Sequence, residues 1–229
     1  MTPAIVVTGS LNMDFVVSVD RLPVPGETVL GRDFQMIPGG KGANQACSAG
    51  KLGAGTVAVR MIGRVGYDVF ADHLKASLAA AGVDVSTVHA TRSQPTGVAL
   101  IWVDRQGQNS IVVASGANHA LVAADVEAMR KVVRGASLAL FQLETSLDTV
   151  ATALALAREE GARTMLDPAP APELSAALRR LGPRSVVLKL GGQGLFYSGD
   201  SMAAGDTFQC GSCRGPGGRP ANRVRAAFR

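Results

Sequence analysis

The chain has 229 residues, 47% of them hydrophobic, and a net charge of +5, which is typical of one folded domain with a substantial core. Residues 207–229 contain five arginines and no acidic residue, so the body of the chain is neutral; this argues against a nucleic-acid-binding domain, whose basic residues should line a folded face. No apolar run reaches membrane-spanning length and the first residues lack a secretory signal, so we expect a cytoplasmic protein without a membrane partner.

Apolar segments predict strands that alternate with helices along the chain. Strands are predicted at 5–9, 57–62, 138–143, 164–167 and 186–190, and helices at 43–52, 69–81, 121–133, 147–160 and 174–181. This alternation indicates an α/β fold with a central, mostly parallel sheet and flanking helices. Three further segments are predicted to form a small β unit outside that sheet, at about 12–20, 27–37 and 97–114.

Two polar residues follow the first predicted strand. Asn12 and Asp14 are two apart on an extended segment, so their side chains should project from the same face. Two polar groups side by side could hold sugar hydroxyls. They could equally be turn residues that cap the strand, and the pattern alone leaves both interpretations open.

A glycine-rich stretch at 38–46 precedes the first predicted helix. Gly39, Gly40 and Gly42 remove the Cβ atoms that would keep a ligand from the backbone. A turn of this kind at a helix start is expected to offer free N–H groups to an anion, and Lys41 and Asn44 lie at the same helix start. The alternative is a tight turn without a ligand. The spacing matches neither the P-loop nor the dinucleotide-binding motif.

Several polar or glycine positions fall at the carboxyl ends of predicted strands. Asn12, Glu144, Asp167 and Gly191 all lie there. Ligands of parallel α/β sheets bind beyond these strand ends. Their shared location predicts a binding site at this edge.

Near the end of the folded body, Ala203, Ala204 and Gly205 precede Asp206. Small residues leave consecutive N–H groups uncovered, so that they can face an anion, and Asp206 could accept a proton from a bound hydroxyl. An aspartate that only caps a helix is the other interpretation.

Taken together, these segments resemble the ribokinase family of ATP-dependent sugar kinases, also called the PfkB family. The resemblance runs in order through residues 4–208. The motifs that carry it are 9–14, 39–46, 63–68, 142–144 and 203–206. The family resemblance implies a ribokinase-like domain at 1–208, whose small β unit is a lid, and an atypical basic tail at 209–229.

The resemblance also implies roles for particular residues. A sugar, ribose or a similar one, would be held by Asn12, Asp14, Gly40, Lys41, Asn44 and Glu144. Asp206 would take the proton from the primary hydroxyl of ribose as it attacks the γ-phosphate of ATP, and the amides of Ala203, Ala204 and Gly205 would stabilise the transferring group. Leu190 and Gly191 would border the nucleotide. The family uses Mg²⁺, Asp200 matches an aspartate near a K⁺ site, and the lid often pairs across a homodimer.

The chain departs from the family pattern after Asp167. An Asn-x-x-Glu motif that helps organise magnesium and phosphates is absent, the segment between Tyr197 and Asp200 is short, and the helices expected after Phe208 are replaced by a tail rich in Gly, Pro and Arg. We interpret the chain as internally shortened, with a tail that resembles a shifted reading frame; a native basic tail is the rival idea. The C-x-x-C at 210–213 lacks further ligands and is a poor zinc site.

The resemblance therefore implies an enzyme that phosphorylates D-ribose at O5. Two alternatives remain open. One is a sugar-binding remnant without catalysis, and the other is a kinase of the same family that acts on another sugar or nucleoside.

Overall fold

The computed structural model describes residues 2–170, 182–189 and 195–199. Within these residues the chain forms two sheets with five α-helices. The strands are β1 (Ala4–Thr8), β2 (Asn12–Ser18), β3 (Phe34–Gly39), β4 (Ala58–Gly66), β5 (Val83–Asp84), β6 (Val88–Thr91), β7 (Gly97–Val103), β8 (Asn109–Ala114), β9 (Leu138–Gln142), β10 (Arg163–Asp167), β11 (Ser185–Lys189) and β12 (Leu195–Gly199). The helices are α1 (Lys41–Leu52), α2 (Val69–Ala80), α3 (Ala123–Ala128), α4 (Arg130–Val133) and α5 (Leu147–Glu159), with a 3-10 helix at Gly116–Ala120.

The main sheet has the order β12-β11-β10-β9-β1-β4-β5, with β6 also pairing with β4, as far as the described residues go. All of its pairs are parallel except β11 with β12. Its strands are apolar because both faces are covered by helices, and two clusters of buried side chains fill the two layers. This confirms the predicted α/β class.

A second, smaller sheet has the order β3-β2-β7-β8. Strand β2 pairs parallel with β7, while β3 and β8 pair antiparallel at the edges. The β unit expected outside the main sheet is therefore present.

Some predicted bounds differ from the structure, and three strands were not predicted. The strand predicted at 27–37 begins only at Phe34: residues 24–27 form a turn, in which Glu27 accepts a hydrogen bond from Val24 N and pairs with Arg21, and residues 28–33 form no strand. The helix predicted at 121–133 is divided into α3 and α4 at Met129, where ψ is 14°. Strands β5, β6 and β12 were not predicted, since the first two are only two and four residues long. The helix predicted at 174–181 lies outside the described residues.

Candidate functional site

The site is built around the connection between the two sheets. Residues 9–11 lead from β1 of the main sheet into β2 of the smaller sheet, and the start of α1 packs directly against them. Ala43 N donates to Ser10 O over 2.9 Å, and Gly42 N donates to Ser10 Oγ over 3.2 Å. A Cβ at position 42 would lie 2.6 Å from Ser10 N. Glycine at this position is therefore what allows the helix to approach the connection so closely.

Gly40 turns the chain from β3 into α1. Its φ of +92° is unfavourable for residues with a side chain, and a Cβ there would lie 2.7 Å from Asn12 N. The turn brings the helix start to the carboxyl end of β1. The predicted glycine-rich turn before α1 is thus confirmed as a structural feature.

Glu144 joins this turn to the other half of the molecule. It follows β9, and its Oε2 accepts hydrogen bonds from Ser10 Oγ at 2.6 Å and from Lys41 N at 3.0 Å. Its Oε1 lies 3.4 Å from Lys41 Nζ, and the Glu144 side chain is only 10% exposed. A carboxylate at this position also stabilises the positive end of the α1 dipole.

The prediction of free N–H groups at the start of α1 is wrong for this structure. Lys41 N donates to Glu144, Gly42 N to Ser10 Oγ, Ala43 N to Ser10 O and Asn44 N to Gly40 O. All four amides are satisfied within the protein: Ser10 and Glu144 supply acceptors for the first three from distant parts of the chain, and Gly40 supplies a local one for Asn44. A ligand at this mouth would therefore meet mainly side chains, such as the Lys41 ammonium and the exposed Asn44.

Asp14 lies in the same cleft as Lys41 and Glu144. In the β2–β3 ladder Asn12 is opposite Gly39, and a Cβ at Gly39 would collide with the Asp14 carboxylate. Burial raises the pKa of Asp14 to about 6, and the nearby charge of Glu144 adds to this, while Lys41 lowers it. Two carboxylates and one ammonium are thus electrostatically coupled at one point where the two sheets meet.

Asn12 is 2% exposed, and its partner was not predicted from the sequence. Its Oδ1 accepts a hydrogen bond from Asn118 Nδ2 over 2.7 Å. Asn118 lies in the 3-10 helix, more than 100 residues along the chain, and no strand or helix periodicity marks it. The sequence marks Ser10 only as part of the motif at 9–14. Its role in holding Glu144 depends on a long-range contact that sequence spacing does not reveal.

The carboxyl edge of the main sheet continues past β9 to Asp167 at the end of β10. Asp167 Oδ2 lies 2.6 Å from Lys189 Nζ. Asp167 Oδ1, Gln142 Oε1 and Thr145 Oγ1 are buried and have no hydrogen-bond partner among the described residues. No group of three or more metal-binding side chains occurs in the described part of the chain, so these residues do not by themselves form a cation site.

The remaining predicted site residues lie outside the described residues. These are Leu190, Gly191, Asp200, Ala203, Ala204, Gly205 and Asp206. The structure therefore brings together Asn12, Asp14, Gly40, Lys41 and Glu144, with Asn44 on the first turn of α1, and leaves the catalytic and nucleotide-binding assignments as predictions. None of the described helices is both long and apolar enough to cross a membrane.

Comparison with known proteins agrees with this architecture. A family model described as pfkB family carbohydrate kinase matches residues 2–190. This chain belongs to that family of sugar kinases. Over 181 residues it is 39% identical to the ribokinase of Haemophilus influenzae, a match that covers 79% of this chain and 58% of that one.

Solved ribokinase structures share the fold. The ribokinase of Giardia lamblia superposes with a TM-score of 0.75 at 27% identity, covering 86% of this chain and 73% of that one. Arabidopsis thaliana ribokinase, solved with ribose and ATP, superposes with a TM-score of 0.67 at 28% identity, covering 86% of this chain and 75% of that one. The present chain spans little more than half the length of curated ribokinases such as that of H. influenzae.

Proposed function

We propose that this protein binds ribose, or a similar small sugar, in the cleft between the two sheets and transfers the γ-phosphate of ATP to the primary hydroxyl. The observation that carries the proposal is the convergence of Asp14, Lys41 and Glu144, whose charges act on one another. Carboxylates accept hydrogen bonds from sugar hydroxyls, and an ammonium donates to them. The relationship to ribokinases supports ribose as the first substrate to test.

Within this cleft the roles divide by chemistry. Asp14 is half-buried, so its carboxylate is poorly solvated and is stabilised by accepting hydrogen bonds from sugar hydroxyls. Lys41 is held by Glu144 at the mouth of the cleft, and Asn44 and the backbone of Gly40 lie beside it. The smaller sheet carries Asn12 and Asp14 on β2. Closure of this sheet over the sugar, as a lid, would exclude water from the transfer step.

Catalysis itself is assigned to residues 203–206. Asp206 would accept the proton of the attacking hydroxyl, a contribution of roughly 10²–10⁴-fold in rate. The amides of Ala203, Ala204 and Gly205 would stabilise the charge on the transferring group, with about 10²–10³-fold for one donor. Leu190 and Gly191 would border the nucleotide. The ATP bound to Arabidopsis ribokinase supports the choice of phosphate donor.

Two cations also belong to the proposal. Mg²⁺, when bound with ATP, would neutralise phosphate charge, with most of its ligands coming from phosphates and water. Asp167 offers one buried carboxylate oxygen that has no partner in the described part of the chain, which suits a single ligand or a water-mediated contact. K⁺ would lie near Asp200.

The decisive experiment is calorimetric titration with ribose followed by an ATP-coupled assay. We expect ribose binding and turnover in the unmodified chain, and we expect Asp206→Asn to abolish turnover while leaving ribose affinity nearly unchanged. Near-normal turnover in this variant would show that Asp206 is not the base. Asp72→Asn, the same change at an exposed position of α2, is the matched control.

A second candidate is sugar binding without phosphoryl transfer. It is favoured by the absence from the sequence of the Asn-x-x-Glu motif that would help organise magnesium and the phosphates. Ribose binding without turnover in the unmodified chain would establish this candidate. A panel of other pentoses and nucleosides would test the remaining alternative, a different substrate in the same cleft.

We also propose that the smaller sheet pairs with a second copy of the chain. Its edge strands expose large apolar side chains, among them Phe34 at 58%, Met36 at 51% and Val112 at 54%. A contiguous apolar surface of this kind is uncommon on monomers. Sedimentation of the unmodified chain should show a dimer that Val112→Asp dissociates, and a monomer at all concentrations would contradict the proposal.

A further inference from the structure

Asn118 makes an unusual set of contacts for a residue outside any strand or long helix. It is 1% exposed. Its Oδ1 accepts a hydrogen bond from Leu11 N over 2.8 Å, and its Nδ2 donates to Leu11 O over 3.2 Å. A backbone N–H can only donate and a carbonyl can only accept. The two contacts with Leu11 therefore fix which end of the Asn118 amide is oxygen and which is nitrogen.

The orientation of the Asn118 amide determines the orientation of the Asn12 amide. Asn118 Nδ2 has a second proton, which it donates to the Asn12 side chain over 2.7 Å. Because that contact needs an acceptor, the Asn12 atom must be Oδ1. The Asn12 Nδ2 is left with two protons and donates to no atom of the described residues. Asn12 therefore presents a hydrogen-bond donor to its surroundings, not an acceptor.

Room for the two amides comes from Gly97. It lies opposite Asn12 in the β2–β7 ladder. A Cβ at this position would collide with both Asn118 Nδ2 and Asn12 Oδ1. Three features thus hold the Asn12 amide in one orientation. They are the buried Asn118, its hydrogen bonds to the backbone of Leu11, and the absence of a side chain at Gly97.

We propose that Asn118 is a positioning residue of the sugar cleft, which orients Asn12 so that its amide nitrogen donates to a ligand hydroxyl. The inference rests on the proposed sugar-binding function. Asp14, on the same strand, is an acceptor, so Asn12 and Asp14 together form a donor–acceptor pair. Such a pair matches a hydroxyl, or two adjacent hydroxyls, that accept from Asn12 and donate to Asp14. Asn118 contacts no ligand and acts through Asn12.

Asn118→Asp tests this with little change of shape. The new carboxylate can still accept from Leu11 N, but its second oxygen would face Leu11 O and Asn12 Oδ1 and force the Asn12 amide to turn over. We expect the dissociation constant for ribose to rise at least about tenfold, because Asn12 would then present its oxygen to the ligand in place of the Nδ2 donor. Asn109→Asp, the same change on an exposed strand, should leave it unchanged.

A double-mutant cycle separates positioning from general damage. If Asn118 acts through Asn12, Asn118→Asp should cost no further ribose affinity in an Asn12→Ala background. Losses that add in full, or an unchanged affinity in the single variant, would overturn the inference while leaving the sugar-binding proposal intact.

A measurement without ligand covers the case in which the unmodified chain does not bind ribose, which would refute the proposed function. NMR should detect a coupling across the hydrogen bond from Asn118 Nδ2 to the Asn12 side-chain carbon. A well-resolved spectrum that lacks this coupling would overturn the assignment of Asn118, whatever the substrate.

Discussion

Replacing Glu144 by glutamine tests how the site is held together. Glu144 Oε2 accepts from Ser10 Oγ and Lys41 N, and Oε1 lies 3.4 Å from Lys41 Nζ. A hydrogen bond to a charged acceptor contributes roughly 1.5–3 kcal/mol and one to a neutral acceptor about 0.5–1.5. Replacing the charged acceptor by a neutral one therefore weakens the two hydrogen bonds by roughly 2–3 kcal/mol in total. The contact with the one-third-exposed Lys41 ammonium adds less than about 1 kcal/mol.

A loss of this size is a large part of the 5–15 kcal/mol that keeps a typical domain folded. Urea unfolding followed by the fluorescence of Trp102, the only tryptophan, measures it. With a slope of about 2 kcal/mol per molar urea, the midpoint should fall by about 1 M at unchanged slope. Glu159→Gln on α5, where the side chain is 60% exposed, is the matched control. A shift for Glu144→Gln no larger than that of the control would refute this description of the site.

Other predictions concern the same cleft. The folded-state pKa of Asp14 is raised to about 6 from 3.8. Its ionisation therefore lowers the free energy of unfolding as pH rises from about 4 to about 6. Urea midpoints should show this loss in the unmodified chain but not in Asp14→Asn. Ribose affinity should fall as pH drops below about 6, because the acceptor is then protonated; an affinity that is flat from pH 7.5 to 5 would contradict the role of Asp14. Lys41→Met should raise the Asp14 pKa further, as seen by carbon NMR titration, since the ammonium lowers it. Gly42→Ala places a Cβ 2.6 Å from Ser10 N and should lower stability by about 1–3 kcal/mol, whereas the exposed Ser48→Ala on the same helix should change it little.

Much of the fold could be predicted because local sequence signals it. Strand β1 and helix α5 are marked by apolar runs and periodicity, and they lie within one or two residues of their predicted bounds. Elements of two to four residues, such as β5, carry too little pattern to be recognised. Strand β3 begins later than predicted, and the preceding loop contains an ion pair between Arg21 and Glu27 that spacing alone does not reveal.

The candidate site, too, was predicted from the sequence only in part. The family resemblance implied that Asp14, Lys41 and Glu144 belong to one sugar-binding set, and the structure places these three in mutual electrostatic contact. The use of the α1 amides was mispredicted because their acceptors, Ser10 and Glu144, come from segments far apart in sequence. Asn118 was missed for the same reason. An isolated asparagine after a strand is an ordinary turn residue until its partners are known.

The most direct test of the sugar cleft is a crystal structure of the chain grown with saturating ribose. The sugar should lie between Asp14 and Lys41, with one hydroxyl within hydrogen-bond distance of the Asp14 carboxylate and of Asn12 Nδ2. A cleft without sugar under these conditions, or ribose bound elsewhere on the molecule, would contradict the account.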